Sequence, residues 1–175
     1  PMEYNDIYDK DRKRTGRVHL RGTPWRKGEY GLVVCVWVYD GRGHFLLTRR
    51  AKGKSFAGTW ENSGGAAKAG ETSRQAIARE LFEETGLKAG KMELFGVFSG
   101  PELHYVYPNG DEVSNVDIVY LCRNYDGSLK CQEEEVEELR FFPADALPEY
   151  PLHKKERWQF ATAKTPVYRD HPNIA

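Results

Sequence analysis

Glu80, Glu83 and Glu84 stand at i, i+3 and i+4 toward the end of the segment TSRQAIARELFEETG at 72–86, with Arg79 beside them and Glu71 just ahead. Ile77, Leu81 and the smaller Ala76 and Ala78 recur there at helical spacing. Glu71, Thr72 and Ser73 supply starting signals and Gly86 a stop, so a helix is expected over about 72–85 with the three acids on one face. That placement is electrostatically adverse. A helix C-terminus carries partial negative charge, and like charges at i,i+4 cost roughly 0.2–0.5 kcal/mol. A hard divalent cation offsets both effects. Mg²⁺ is held by a few carboxylates plus substrate phosphates, and the repulsion it relieves is about 4 kcal/mol per pair at 4 Å in a partly buried site. The expected chemistry is metal-assisted work on a phosphorylated compound. The plainer alternative is a solvated helix face on which Arg79 and Glu83 form an i,i+4 pair.

The spacing around the acids carries a resemblance. The chain reads Gly65, five residues, Glu71, seven residues, then RELFEETGL at 79–87, and this resembles the Nudix box at every fixed position. By average residue usage such a register arises by chance on the order of one in ten million for a chain this long. Membership of the Nudix superfamily implies an α/β/α sandwich with a mixed β-sheet, in which the box at 65–87 forms loop, helix and loop. It implies that Glu80, Glu83 and Glu84 ligate Mg²⁺ or Mn²⁺, often joined by the Gly65 carbonyl, with Glu80 or Glu84 sharing the base role. Arg79 is then expected to orient a box glutamate, most simply Glu83, and Glu71 to brace helix and loop. Relatives often take a further ligand or base from a late loop. Glu135, six residues before Phe141 in EEEVEELRFF, is the candidate, with Glu102 and Glu112 as weaker alternatives and a solvated acidic loop as the plain reading.

Around the box, Gly64 and Gly65 let the backbone come close to metal and phosphates. Arg49, Arg50, Lys52 and Lys54 lie just before it and could hold terminal phosphates, with exposed strand-end charges as the alternative. Trp60, Phe56 and Tyr105 could stack on a base or line an apolar pocket, although aromatics at strand ends are more often core.

The elements that must position these groups are strands. The run LVVCVWVY at 32–39, a DGRG turn and HFLLT at 44–48 read as a hairpin. Further strands are expected at 92–99, 103–107, 116–122 and 139–142, with a PNGD turn at 108–111, a turn of helix at 144–147 and a final helix at about 153–164. Residues 1–28 read as a polar lead-in to one Nudix domain over 1–175. With 39% hydrophobic and 13% aromatic residues the chain can bury one good core. Lys plus Arg and Asp plus Glu both number 26, so no basic field exists to recruit a nucleic-acid polymer. Cys35, Cys122 and Cys131 are odd in number and unclustered, as for free thiols in a reducing compartment. No apolar run approaches the ~18 residues of a membrane span and the charged start is not signal-like, so a cytoplasmic protein without a membrane partner is expected. A homodimer is an option that the resemblance offers.

A second resemblance covers most of the chain. Thr15-Gly16-Arg17, Arg21-Gly22, LLTRRA at 46–51, Lys54, Gly58-Thr59-Trp60 and Asn62-Ser63 are similar to isopentenyl-diphosphate isomerase of the same superfamily. That enzyme needs a cysteine, metal-binding histidines and an acid pair. Here Gly65, Ala67 and Gly31 occupy the cysteine and histidine positions, and the acid pair would fall near Val113 and Asn115. The proton-transfer apparatus is absent while the hydrolase box is complete. The expected activity is hydrolysis of a diphosphate linkage in a nucleoside diphosphate derivative or related organic diphosphate, such as an ADP-ribose-like dinucleotide or an isoprenoid diphosphate. Isomerase-like chemistry and a non-catalytic nucleotide-binding domain are the alternatives. LLTRRA overlaps the opening of the coenzyme A pyrophosphatase motif, but the downstream part is missing, and Ser99-Gly100-Pro101 does not match the spacing of ADP-ribose pyrophosphatases.

Overall fold

A computed structural model describes residues 2–98, 104–106 and 112–148. Regular structure begins earlier than the polar lead-in suggested: β1 (Tyr4–Tyr8) and β2 (Arg14–Leu20) form an antiparallel hairpin within that segment. Asp9 folds its tip by accepting the N–H groups of Asp11 and Lys13 at 2.9 and 3.0 Å. This is a correction to the sequence reading, and it has a physical reason. Most β2 residues are exposed, so the strand lacks the apolar alternation by which strands are recognised.

The central sheet is mixed. β3 (Gly31–Val38) lies between β6 (Ser63–Ala66), antiparallel, and β10 (Glu112–Cys122), parallel; β8 (Met92–Phe98) and β9 (His104–Val106) pair antiparallel with β10. β3 is an almost continuous apolar run because both its faces are covered. Val34, Val36 and Val38 join Ile77, Leu81, Leu87, Ile118 and Tyr120 on the helix side, while Cys35 and Trp37 join Leu47, Trp60, Phe98 and Val119 on the other. The second cluster is closed by a separate sheet of β4 (His44–Arg50), β5 (Trp60–Glu61) and β12 (Val136–Pro143). Short β7 (Lys88–Ala89) and β11 (Tyr125–Asp126) form a further pair.

The expected hairpin between 32–39 and 44–48 does not form. After a single bridge, Tyr39 to Phe45, β3 and β4 part into different sheets. Asp40 holds the turn, accepting from Arg42 N and His44 N at 2.7 and 3.1 Å, and a run buried on both faces needs cover from two layers that one hairpin partner cannot give. At 144–147 there is a hydrogen-bonded turn, with Ala146 N donating to the Pro143 carbonyl at 3.0 Å, in place of a turn of helix. The expected 108–111 turn and 153–164 helix lie outside the described residues.

The helix, α1 (Ser73–Thr85), starts at a reciprocal cap: the Thr72 side chain accepts from Gln75 N and Gln75 Oε1 accepts from Thr72 N. It ends at Gly86 in the left-handed region, φ 75°, with its N–H on the Phe82 carbonyl. Its last turn contains no basic residue. Among the described residues α1 is the one helix, laid on the central sheet through Ala76, Ile77 and Leu81. Truncating fully buried Leu81 to Ala should cost about 2–5 kcal/mol.

Candidate active site

The site is built where α1 crosses β6. β6 reaches β3 with Gly64 opposite Cys35 and Gly65 opposite Val34. A Cβ on Gly64 would collide with the Val34 carbonyl, and one on Gly65 would lie 2.7 Å from the Glu80 carboxylate. Both glycines therefore permit a close approach, the second between the strand backbone and an acid of the helix.

Glu84 lies on the buried side of α1 with Ile77 and Leu81. Its carboxylate accepts a short hydrogen bond from the Ser63 hydroxyl and a longer one, 3.3 Å, from Gly64 N. Burial pushes its pKa up to about 8, aided by the charges of Glu61 and Glu80 and opposed by the bonds from Ser63 and Gly64. Burial also raises Glu80, against the pull of Arg79. Two adjacent acids are thus costly to ionise unless a positive charge reaches them.

Arg79 gathers the rest. It makes a two-pronged bond to Glu71, Nε–Oε1 2.7 Å and Nη2–Oε2 2.9 Å, and reaches Glu80 at 2.7 Å, Glu83 at 3.2 Å and the Ala66 carbonyl at 3.3 Å. The bond to Glu71 raises the Arg79 pKa first of all, and Arg79 in turn lowers that of Glu71. The expected Glu83 partner is present, but the fork is spent on Glu71, because a carboxylate ahead of the helix can meet a guanidinium in plane as the i+4 residue does not. Glu71 also accepts from Lys68 N at 2.8 Å, tying loop to helix.

Glu61, Glu80, Glu83, Glu84, Glu135, Arg50, Gly65 and Arg79 all line one cleft of about 1310 Å³. Glu135 is paired with Lys54 Nζ at 2.5 Å, and its segment reaches α1 where Gln132 N donates to the Glu84 carbonyl at 3.4 Å. Arg50 is fixed by Glu61 at 2.7 Å and by the Ser55 carbonyl at 2.7 Å. Several residues expected to touch substrate stand outside the cleft's lining, Lys52 and Lys54 among them. Arg49 points along β12 to Glu138 at 3.5 Å and does not line the cleft. Trp60 is buried in the second core cluster, its ring edge-on to Phe142 with centroids 4.9 Å apart, because inward positions of β5 face the Trp37 layer. Phe56, exposed and at positive φ, is also off the cleft. Glu102 lies outside the described residues, whereas Glu112 lines the cleft 3.8 Å from His104.

The sequence reading missed one wall entirely. His19, Arg21 and the loop 22–30 line the cleft, with His19 and Trp25 stacked at 3.8 Å and 14°. Their only signal was Trp25 in a polar stretch.

The donor set suits a hard divalent cation: carboxylates that burial penalises and a backbone carbonyl strand with no side chain in the way. Among the described residues no three acidic, histidine or cysteine side chains already converge as a ligand set, since Glu80 and Glu83 turn to Arg79 and Glu84 to Ser63.

Comparison with known proteins gives the following. The family model "NUDIX domain" matches residues 29–163. A Nudix hydrolase of Listeria monocytogenes, described as uncharacterized, is 32% identical over 149 residues, covering 83% of each chain. An ADP-ribose pyrophosphatase of Methanocaldococcus jannaschii is 34% identical over 111 residues, 63% of this chain and 62% of that one. An NAD-capped RNA hydrolase of Actinobacillus succinogenes is 33% identical, covering 68% of this chain and 44% of its own length. Among solved structures, a MutT NUDIX hydrolase from Burkholderia pseudomallei superposes with a TM-score of 0.65 at 26% identity, over 75% of this chain and 96% of that one.

Proposed function

The chain belongs to the Nudix family of hydrolases, and from that premise we propose that it hydrolyses the diphosphate linkage of a nucleoside diphosphate derivative with Mg²⁺ or Mn²⁺. The observation that carries this reading is the pair of half-buried Glu80, against Gly65, and buried Glu84, against Ser63 and Gly64, in a cleft large enough for a whole dinucleotide. Glu80, Glu84 and the more exposed Glu83 would hold the cation, with the Gly65 carbonyl at their edge. A divalent cation there neutralises diphosphate oxygens and acidifies water.

The chain's own groups do the rest. Glu84 is a buried carboxylate aimed by Ser63 and Gly64, suited to hold or accept a proton once its negative form is stabilised. Arg79 positions Glu80 and is itself fixed by Glu71, so it acts through the acids. Arg50, which lines the cleft near Glu61, Glu84 and Glu135, can meet phosphate oxygens, and Glu135 holds Lys54. The diphosphate-linked compounds named for the two relatives, ADP-ribose and the NAD cap, support a nucleoside at one end of the linkage.

The test is a chromatographic screen for cleavage of ADP-ribose and NAD to AMP, and of isopentenyl diphosphate to its monophosphate, with Mg²⁺ or Mn²⁺, repeated on Glu84→Gln and Glu80→Gln. Hydrolysis of at least one nucleoside diphosphate compound, lost by about a hundredfold or more in either variant, is expected. Wild-type protein that binds but cleaves none of them sinks the reading, and so does isomerisation of isopentenyl diphosphate.

A further inference from the structure

Resting on the hydrolase reading above, we propose that the loop 21–30 forms the subsite for the organic end of the substrate, with the Trp25 indole as platform for a purine or pyrimidine base. The cleft's volume of about 1310 Å³ is far more than a diphosphate fills, and it exceeds the usual range for small-molecule sites. Glu61, Glu80, Glu83 and Glu84 line it together with Gly65, and Trp25 lines it from the loop 21–30. A ligand with its diphosphate at the acids, under a cation, has its organic group left to meet that aromatic loop.

Trp25 is prepared for a planar ring. His19, buried behind it, stacks on the indole at 3.8 Å and 14°, so the side chain's rotamer freedom is already spent before a ligand arrives. Gly31 lies under the ring: a Cβ there would come to 3.0 Å from the indole and press it a few tenths of an ångström out of its present place over β3. The remaining, half-exposed part of the indole lines the cleft. Trp37 and Trp60, by contrast, are buried in the second core cluster and cannot meet a ligand.

The spacing along β3 fits. Trp25 sits over Gly31, and Gly65 of the acidic corner pairs with Val34, three residues further on. At about 3.3 Å per residue the two points are roughly 10 Å apart. A ribose bridges such a gap between a diphosphate and its base. Stacking is tolerant of base identity, because every base has a π face, and is worth roughly five- to 150-fold in affinity. The subsite thus selects a nucleoside over an aliphatic alcohol.

AMP and ribose 5-phosphate contain no phosphoanhydride bond, so both can be titrated calorimetrically in Mg²⁺ without turnover. Wild-type protein should bind AMP about tenfold more tightly or better; Trp25→Ala should bring the two within twofold, and Trp25→Phe should keep most of the preference. Equal wild-type affinities, or a folded Trp25→Ala that keeps the tenfold preference, overturn the proposal. Where Trp25→Ala does not fold, tryptophan fluorescence decides. AMP should quench wild type and not Trp25→Phe, and equal quenching of both is fatal. A protein that prefers AMP yet hydrolyses nothing overturns the hydrolase reading alone, whereas hydrolysis of ADP-ribose without a base preference overturns the subsite alone.

Discussion

Replacing Glu84 by Gln should remove activity and stabilise the cation-free protein at once, with a pH signature that a merely structural role lacks. In the unfolded chain this carboxyl titrates near its ordinary value of 4.5, and in the fold burial raises it to about 8. A group whose folded pKa is raised contributes fully below the unfolded value and loses that contribution as pH rises through the folded one. Keeping the proton on between pH 4.5 and pH 7 costs about 1.4 kcal/mol per pH unit, so about 3 kcal/mol at pH 7. Glutamine bears no charge and presents the same oxygen to Ser63 and Gly64, so it escapes this cost. Allowing for water entry and side-chain rearrangement, a gain of about 1–3 kcal/mol, or roughly 3–9 °C in Tm, is expected in EDTA at pH 7–8. The gain should shrink toward zero at pH 4.5. Mg²⁺ should narrow it from the other side by stabilising wild type alone. Thermal melts of both proteins at pH 4.5, 6 and 8, with and without Mg²⁺, measure every part of this. A Glu84→Gln protein that is less stable than wild type at pH 8, or whose stability difference is flat with pH, refutes the assignment of Glu84 as a carboxylate strained by burial.

Other substitutions probe the neighbours. Gly65→Ala places a Cβ against the Glu80 carboxylate and should lower kcat at least tenfold in a folded protein, whereas Gly70→Ala, at φ +85° with open space around it, should cost only about 1–2 kcal/mol of stability and spare kcat; similar kcat values for the two would remove the steric argument. Arg79→Lys keeps the charge and loses the fork to Glu71, so Mg²⁺ affinity, read by calorimetry, should fall about tenfold, and an unchanged value would show that Arg79 does not position the acids. Glu135→Gln frees Lys54 and should alter the rate by more than twofold; a rate within twofold returns that residue to a solvated loop. Thr72→Ala removes one half of the cap and should cost about 1 kcal/mol by denaturant melt, with no change in KM.

The box was legible because its information is local: one helix period, one cap, one glycine stop and acids at fixed offsets decide which side chains share a face before any tertiary contact forms. Burial was not legible, and it is what changes the chemistry. Glu80, Glu83 and Glu84 look alike in the sequence, yet the fold leaves Glu83 half-exposed and seals Glu84 under Ser63, since α1 packs on its Ile77–Leu81 side. The misreadings have the same origin. Trp60 and Trp25 are each an aromatic in a short polar surround, and only the pairing of β5 with β4 sends one into the core, while the β1–β2 hairpin brings the other to the cleft.

That hairpin also explains why a segment without strand periodicity is nonetheless ordered. Asn5 Nδ2 donates to the Ala67 carbonyl at 2.7 Å, Ala69 N to the Tyr4 carbonyl at 2.8 Å, Gly70 N to Asp6 at 2.9 Å and Arg14 to the Glu71 carbonyl at 2.6 Å. Each bond ends on the loop that leads into α1, and the last ends on the residue whose side chain holds Arg79. The lead-in thus takes its order from polar bonds to the box loop more than from an apolar face, and periodicity cannot detect such bonds. Its contribution is directional: a loop pinned at four points fixes where Glu71 stands, Glu71 fixes the plane of Arg79, and Arg79 fixes Glu80 against Gly65. Geometry at the acidic corner therefore depends on residues some sixty positions upstream whose bonds here reach neither Glu80 nor Glu84.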